Sequence, residues 1–406
     1  LPDFVANTLM PLIDTFEQFG GGLIGTVRGD KTQLVDAARQ TYGYGKYAGT
    51  SMKAGWESLM TAKNVIDPEF KVREEVDGQV DRISVGTKDI DLRKLSWEEA
   101  RNMPLSDWVG NTFRLSFRGL AAGDEMFKQL TFRSVAYREV VKKFKTEGKF
   151  QDVTAKQFDA LVEKAVDDVV ADAIKMQKDK TVVNPIAETA LRRARENTFT
   201  EPLKGIGKDV QVLVNKYPAL RVVAPFIRTP INIFKWPLRR ALPMLSTRQK
   251  EAWRQGGAAR DRVIFETGYM VTALYLLQQA INEKVTFTDV EGNESEVYRF
   301  QSTWSSMSYN AQQNKRLSGV TPHSAYILGK FRSTRRGDPA DTIITTLTGI
   351  RDLREAGKYA EADELSMAIL ASFINLAQNK TFMQGVTNFV EAVNSPENFA
   401  EAYAEG

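Results

Sequence analysis

Between Thr154 and Ala173 the chain repeats apolar residues at the period of an α-helix. Phe158, Leu161, Val162, Ala165, Val166, Val169, Val170 and Ala173 fall on one face. Thr154 and Gln157, just before them, have capping-box spacing, in which each side chain satisfies a backbone N–H of the other residue. A stripe of this kind is stable only when buried against another element. Weaker stripes recur along most of the chain. The fold class expected is therefore all-α, an elongated multi-helix array with one or two small β-hairpins.

Taken in order, Phe4, Leu9, Leu12, Ile13 and Phe16 predict a helix over 4–18 that Gly20-Gly21-Gly22 breaks. A second helix is expected over about 30–63. Its middle alternates Tyr42, Tyr44 and Tyr47 with Gly43, Gly45 and Gly49, a composition suited to close helix contact within the chain or between copies. Turn signals dominate 64–95, which reads as an exposed loop or hairpin arm. Helices resume at Ser96. One of them is expected to start near Asp124 and to carry Phe127, Leu130, Tyr137, Val141 and Phe144 inward, with Lys128, Arg138, Lys142 and Lys143 outward. Asn184-Pro185 starts another helix, and 208–217 a further one. A long helix is expected over 258–283. The alternation around Gly292-Asn293 predicts a hairpin, and 324–331 a second small strand pair. Helices at 340–355 and 361–378 close the chain. The divisions expected are 1–95, 96–284, 285–335 and 336–406.

Charge is distributed unevenly. From Lys216 to Arg262 there are 11 Lys or Arg against 2 acids, although the whole chain carries only +4. Within this basic centre, Thr229-Pro230 is read as a helix start, with Ile231, Phe234 and Leu238 on one face and Lys235, Arg239 and Arg240 beside them. Ser246 and Gln249 have capping-box spacing, and Gly256-Gly257 ends that second helix. Arg228, Lys235, Arg239, Arg240, Arg248 and Arg254 are the candidates for contact with DNA or an acidic partner. Trp236 and Trp253, with Tyr42, Tyr44 and Tyr47, are the candidate interface aromatics. The competing reading is a solvated basic face whose partner is the protein's own acidic part. The segment from Arg354 to the end, with 8 acids and 3 bases, is the natural candidate for that part.

Catalytic signals are weak. No cysteine is present, which excludes disulfides, thiolate metal sites and cysteine nucleophiles. The single histidine, His323, sits in a turn-like Thr-Pro-His-Ser and leaves the usual histidine-based metal sites and triads without material. The glycine run at 20–25 lacks the lysine of a phosphate loop. Glu98-Glu99, Asp124-Glu125 and Asp167-Asp168 read as helix-surface or dipole residues. No catalytic residue, metal or cofactor is expected. No apolar run reaches the length of a bilayer span. The start at Leu1-Pro2 suggests a processed product or the ordered portion of a longer polypeptide.

Several blocks resemble the internal virion, or DNA-ejection, proteins of short-tailed bacteriophages, which are often segments of large polyvalent phage polypeptides. They are Ala122–Leu130 with Phe132-Arg133 and Tyr137-Arg138, Val223–Lys235, Gly256–Arg262, Arg336–Pro339, Asn379–Gly385 and Phe389–Val393. The Phe226-Ile-Arg-Thr-Pro-Ile-Asn-Ile233 core is the most specific, and residues 285–318 depart from the pattern. The resemblance implies a non-enzymatic structural component of the particle. It would be packaged inside the capsid and ejected to help form a conduit for the genome across the host envelope. Its implied partners are copies of itself, the portal or other internal virion proteins, DNA, and the host membrane after ejection. Its implied places are the virion interior and then the host periplasm or envelope. The alternative is a segment with peptidoglycan-degrading or polymerase activity.

Overall fold

The computed structural model describes residues 2–61, 66, 96–101, 105–149, 151, 153–179, 181–202, 228–289, 291–302, 304, 307–334 and 340–355. The fold is mostly helical with small antiparallel strand pairs. The chain divides into two compact units. The first comprises 3–209 and 235–270, and the second 210–234 and 271–406. The exposed arm expected at 64–95, except Ile66, and the helices expected at 208–217 and 361–378 lie outside the described residues.

The first unit contains α1 (Pro2–Val27), α2 (Thr32–Thr61), α3 (Trp97–Arg101), α4 (Leu105–Thr146), α5 (Ala155–Lys178) and α6 (Pro185–Asn197). It also takes in the C-terminal part of α7 (Arg228–Ala241), α8 (Thr247–Gln255) and the first half of α9 (Gly257–Asn282). Its apolar core joins α2, α4, α5 and α6: Tyr47, Phe132, Val135, Val140, Val162, Val166, Val169, Ala190 and Leu191 are buried together. The α5 capping box is present as read, with Thr154 Oγ1 accepting from the Gln157 backbone. Asn184 caps α6, accepting from the N–H groups of Ile186 and Ala187.

Four expectations are corrected. The glycines at 20–22 do not break α1; the helix runs on to Val27. A Cβ at Gly20 would lie 2.2 Å from the Phe265 ring, and one at Gly21 would lie 2.9 Å from the Arg262 Cα. These glycines let α1 and α9 approach closely, and that packing outweighs their low helix propensity. Next, α4 begins at Leu105 and carries Gly119 and Gly123 inside it. On its supposed outer face, Lys128 is fully buried. Third, α7 starts at Arg228, and its buried residues include Ile233, Trp236, Pro237 and Arg240, whereas Leu238 points outward. Fourth, Ser246 precedes α8 without a side-chain capping bond, although Gly256 ends that helix at φ 71°. Only glycine adopts such a φ without strain.

The second unit holds β1 (Lys284–Thr288) and β2 (Glu294–Tyr298), paired antiparallel with Val285 opposite Val297 and Phe287 opposite Ser295. The turn is closed by Asp289, whose Oδ1 accepts from the N–H groups of Glu291 and Asn293, with Gly292 at φ 90°. A second sheet has the order β3 (Phe300–Gln301), β4 (Ser324–Ile327), β5 (Lys330–Ser333). Helices α10 (Tyr309–Leu317) and α11 (Ala340–Glu355) complete the unit. Phe287, Trp304 and Val320 form its small core. His323 is buried just before β4 at φ 50°; its backbone N–H donates to the Ser302 carbonyl and its own carbonyl accepts from Thr334. The Arg351 guanidinium stacks on the Tyr298 ring, 3.8 Å from its centroid, and donates to the Phe300 carbonyl.

Candidate functional site

The most distinctive chemistry lies in the first unit, where four carboxylates and four guanidiniums share one interior. Asp14 and Glu17, three residues apart on α1, point to one side. Arg193 and Glu196 face them from α6, Arg240 from α7, Arg248 from α8, and Arg262 and Glu266 from α9. Glu17 is fully buried, and Asp14, Arg240 and Glu266 are each 2% exposed.

The pairing is dense. Arg240 grips Glu17 with two bonds, Nε to Oε1 at 2.6 Å and Nη2 to Oε2 at 3.1 Å. Its guanidinium carbon lies 4.0 Å from the centroid of the Trp236 ring, one turn earlier on α7. Arg262 Nη2 donates to Glu17 Oε2 at 2.6 Å and to Asp14 Oδ1 at 2.7 Å, while its Nε donates to Glu266 Oε1 at 2.6 Å. Arg193 Nη1 donates to Glu196 Oε2 at 2.8 Å, and Arg248 binds the same oxygen. Neutral groups take the remaining lone pairs. Gln18, Gln40 and Tyr44 all donate to Asp14 Oδ2, and Tyr269 donates to Glu17 Oε1 at 2.6 Å. Arg138 then locks the amides through Gln18 Oε1 and Gln40 Oε1.

Burial alone would raise the carboxylates, but the surrounding arginines outweigh it. Arg193 and Arg262 hold Asp14 below its usual range, Arg248, Arg193 and Arg240 hold Glu196 well below, and Arg262, Arg240 and Arg248 bring Glu266 down to about 2. Arg240, Arg248 and Arg262 are raised against their own burial by the same partners. Arg193 moves the other way, lowered by burial and by the nearby Arg262. Burial and the adjacent carboxylates push the Tyr44 and Tyr269 phenols up, so both remain donors.

A cleft of about 420 Å³ opens beside this centre, lined among others by Gln33, Arg138, Arg193, Arg248, Arg262 and Glu266. Its buried carboxylates, Glu196 and Glu266, stay ionised at neutral pH and have no proton to donate as general acids. Among the described residues no group of three or more His, Asp or Glu side chains is placed to hold a metal ion, and no helix is long and apolar enough to cross a membrane.

The basic centre therefore divides. Arg240 is buried against Glu17, which corrects the expectation that it faces DNA or a partner; Arg248 pairs with Glu196 but keeps 32% of its side chain exposed. A guanidinium neutralised and buried as Arg240 is has little field left to offer an outside anion. Arg239 pairs with Glu201. Lys235 is partly buried, and that burial lowers its pKa. Arg254 is exposed, and the Arg228 side chain lies outside the described residues. The aromatics divide as well. Trp236 is buried under Arg240, Tyr47 is in the apolar core, and Tyr44 belongs to the ionic centre, so these three pack within the chain. Trp253 remains exposed, and Tyr42, exposed on one side, lies against the Tyr137 ring with 5.5 Å between centroids. Among the described residues the acidic partners come from α1, α6 and α9; the C-terminal candidate, from 356 on, lies outside the described residues. The available signal was the pair Asp14 and Glu17, the only charged residues over Leu9–Phe19 of an otherwise mainly apolar stretch.

Comparison of the chain with protein-family models, with curated proteins and with solved structures finds no match.

Proposed function

We propose that this chain is a non-enzymatic structural component of a bacteriophage particle, carried inside the capsid and ejected to help build a conduit for the genome across the host envelope. The resemblance of the sequence blocks to internal virion proteins suggests this reading. The ionic centre, in a chain without a cysteine, is the structural observation that carries the reading. Helices joined by salt bridges and packing alone can be drawn apart through a narrow passage and can close again afterwards, because no covalent cross-link has to break or re-form. Glu196 and Glu266, the two buried carboxylates of the cleft, are held low by arginines and are poor material for the protonated acid that the peptidoglycan-degrading alternative requires. Lys235, Arg254 and Arg228 stay as the residues proposed to face DNA or an acidic neighbour.

The test is location. Mass spectrometry of purified particles should find the chain in intact virions. After adsorption to host cells, it should leave the emptied capsids and appear in the host envelope fraction. A chain absent from particles, or one that clears cell-wall material in a zymogram, overturns the proposal.

A further inference from the structure

The cleft beside the ionic centre has hydrogen-bonding capacity that the protein itself does not use. Arg193, Arg248 and Arg262 all line it, and each has committed only part of its guanidinium. Arg193 donates from Nη1 to Glu196 Oε2, and its Nε lies 3.5 Å from Asp14 Oδ1. Arg248 donates from Nη1 to the same Glu196 oxygen. Arg262 donates from Nε to Glu266 and from Nη2 to Asp14 and Glu17. Among the described residues no acceptor meets Arg193 Nη2, Arg262 Nη1, or Nε and Nη2 of Arg248, and none of these nitrogens is sealed from the surface. The wall also holds an acceptor. Gln249 is 5% exposed, and its Nε2 donates to Glu266 Oε2 at 3.3 Å. That bond fixes the amide, because the reverse orientation would set two oxygens against each other. Gln249 Oε1 is left buried without a donor, a state that folded proteins seldom leave unmet.

We propose that this cleft binds a small hydroxylated phosphate, either hydrogen phosphate or a sugar phosphate. Its phosphoryl oxygens would lie on the open edges of Arg193, Arg248 and Arg262, and a hydroxyl would donate to Gln249 Oε1. Guanidinium edges match phosphate oxygens in geometry, and bonds between two charged groups are the strong kind. The four side chains sit on one closed circuit. Asp14 Oδ1 joins Arg193 to Arg262, Glu196 Oε2 joins Arg193 to Arg248, and Glu266 joins Arg262 to Gln249, the residue after Arg248. Donors and acceptor are thus held in place before a ligand arrives, which lowers the cost of binding. The acids of the wall are mostly occupied. Asp36 is paired with Arg39 and Lys142, Glu139 with Arg138, and Glu196 and Glu266 with the network. Glu251 is exposed with no base bonded to it among the described residues, and Arg192, also exposed and unpaired, offsets it. Arg193 is lowered by burial and by the nearby Arg262, a deficit of negative charge that a bound anion would relieve. At about 420 Å³ the cleft has the size of a small-molecule site, and it leaves room for a sugar beside Thr189 and Gln255. The orphan acceptor decides among anions. Sulfate and a phosphodiester carry only accepting oxygens and would leave Gln249 Oε1 unpaired beside another acceptor.

The site belongs to the first unit alone and does not depend on the phage reading. A chain that binds phosphate but is absent from particles would remove that reading and leave this one. Isothermal titration calorimetry of the full chain, at neutral pH and fixed ionic strength, should show one site per chain for hydrogen phosphate and for glucose 6-phosphate. Sulfate should bind roughly tenfold or more weakly by comparison. The tighter of the two phosphates identifies the source, the free ion or the sugar ester. Gln249→Met should bring phosphate down to the level of sulfate and leave sulfate where it was, whereas Arg248→Gln should weaken both. A merely structural role for Gln249 would weaken the two alike. The phosphate-to-sulfate ratio of the unaltered chain remains a readout even where a variant fails to fold. No heat with either phosphate, equal affinity for sulfate, an equal loss of both anions in a folded Gln249→Met chain, or displacement of glucose 6-phosphate by a phosphodiester oligonucleotide would each overturn the proposal.

Discussion

At the residue scale, the ionic centre behaves unlike the surface pairs around it. Lys46–Asp159 and Arg133–Asp167 each leave a carboxylate largely in water and contribute little. Removing one partner of a buried pair strands the other charge, at a cost of about 3–5 kcal/mol. Arg262→Ala removes one guanidinium from Asp14, Glu17 and Glu266 at once, so its melting temperature should fall by about 10 °C. The double change Glu17→Gln with Arg240→Met should cost less than the sum of its parts, which a double-mutant cycle in denaturant would measure. The pH dependence follows from Asp14, Glu196 and Glu266, whose folded pKa values lie below their unfolded ones. Their contribution is fully present above about pH 4.5 and is lost as the pH falls toward the folded value, about 2 for Glu266. Melting temperature should therefore hold between pH 7 and pH 5 and drop steadily below pH 4.

At the scale of elements, glycine has two opposite uses in this chain, and substitution separates them. Gly21→Ala would drive a Cβ into the Arg262 backbone and should destabilise the first unit by about 1–3 kcal/mol. Gly45→Ala has open space and should raise monomer stability by up to about 1 kcal/mol through helix propensity. Thermal unfolding of the two variants checks the contrast. This is also where reading from sequence succeeded and failed. The Thr154 box, the Asn184 cap and the hairpin at Gly292 were legible because each is a local hydrogen-bonding pattern. Gly20–Gly22 was misread because the residue that decides its role, Phe265, is remote in sequence. The basic centre was legible as composition. Its true partners were not, because Asp14 and Glu17 look like ordinary polar positions on an amphipathic helix until α6, α7 and α9 are laid against them.

At the scale of the whole molecule, two kinds of interior hold the first unit. One is the apolar core of α2, α4, α5 and α6, and the other the ionic centre of α1, α6, α7, α8 and α9. Helix α6 serves both, with Ala190 and Leu191 in the first and Arg193 and Glu196 in the second. Perturbing either should loosen α6. Hydrogen exchange on Arg262→Ala should therefore show lost protection in α6 as well as in α1 and α9, with α5 less affected.

An interior rich in charge also shapes the response to heat. Exposing apolar surface on unfolding raises the heat capacity, whereas exposing polar surface lowers it. The eight charged groups that return to water when this unit opens subtract from that increment. In a unit of this size the reduction is only on the order of 5%, so the curve of stability against temperature is flattened slightly. Scanning calorimetry would register this as a difference between variants, within the usual ~12–15 cal/mol/K per residue. The step should grow when Glu17 and Arg240 are together replaced by leucine and methionine.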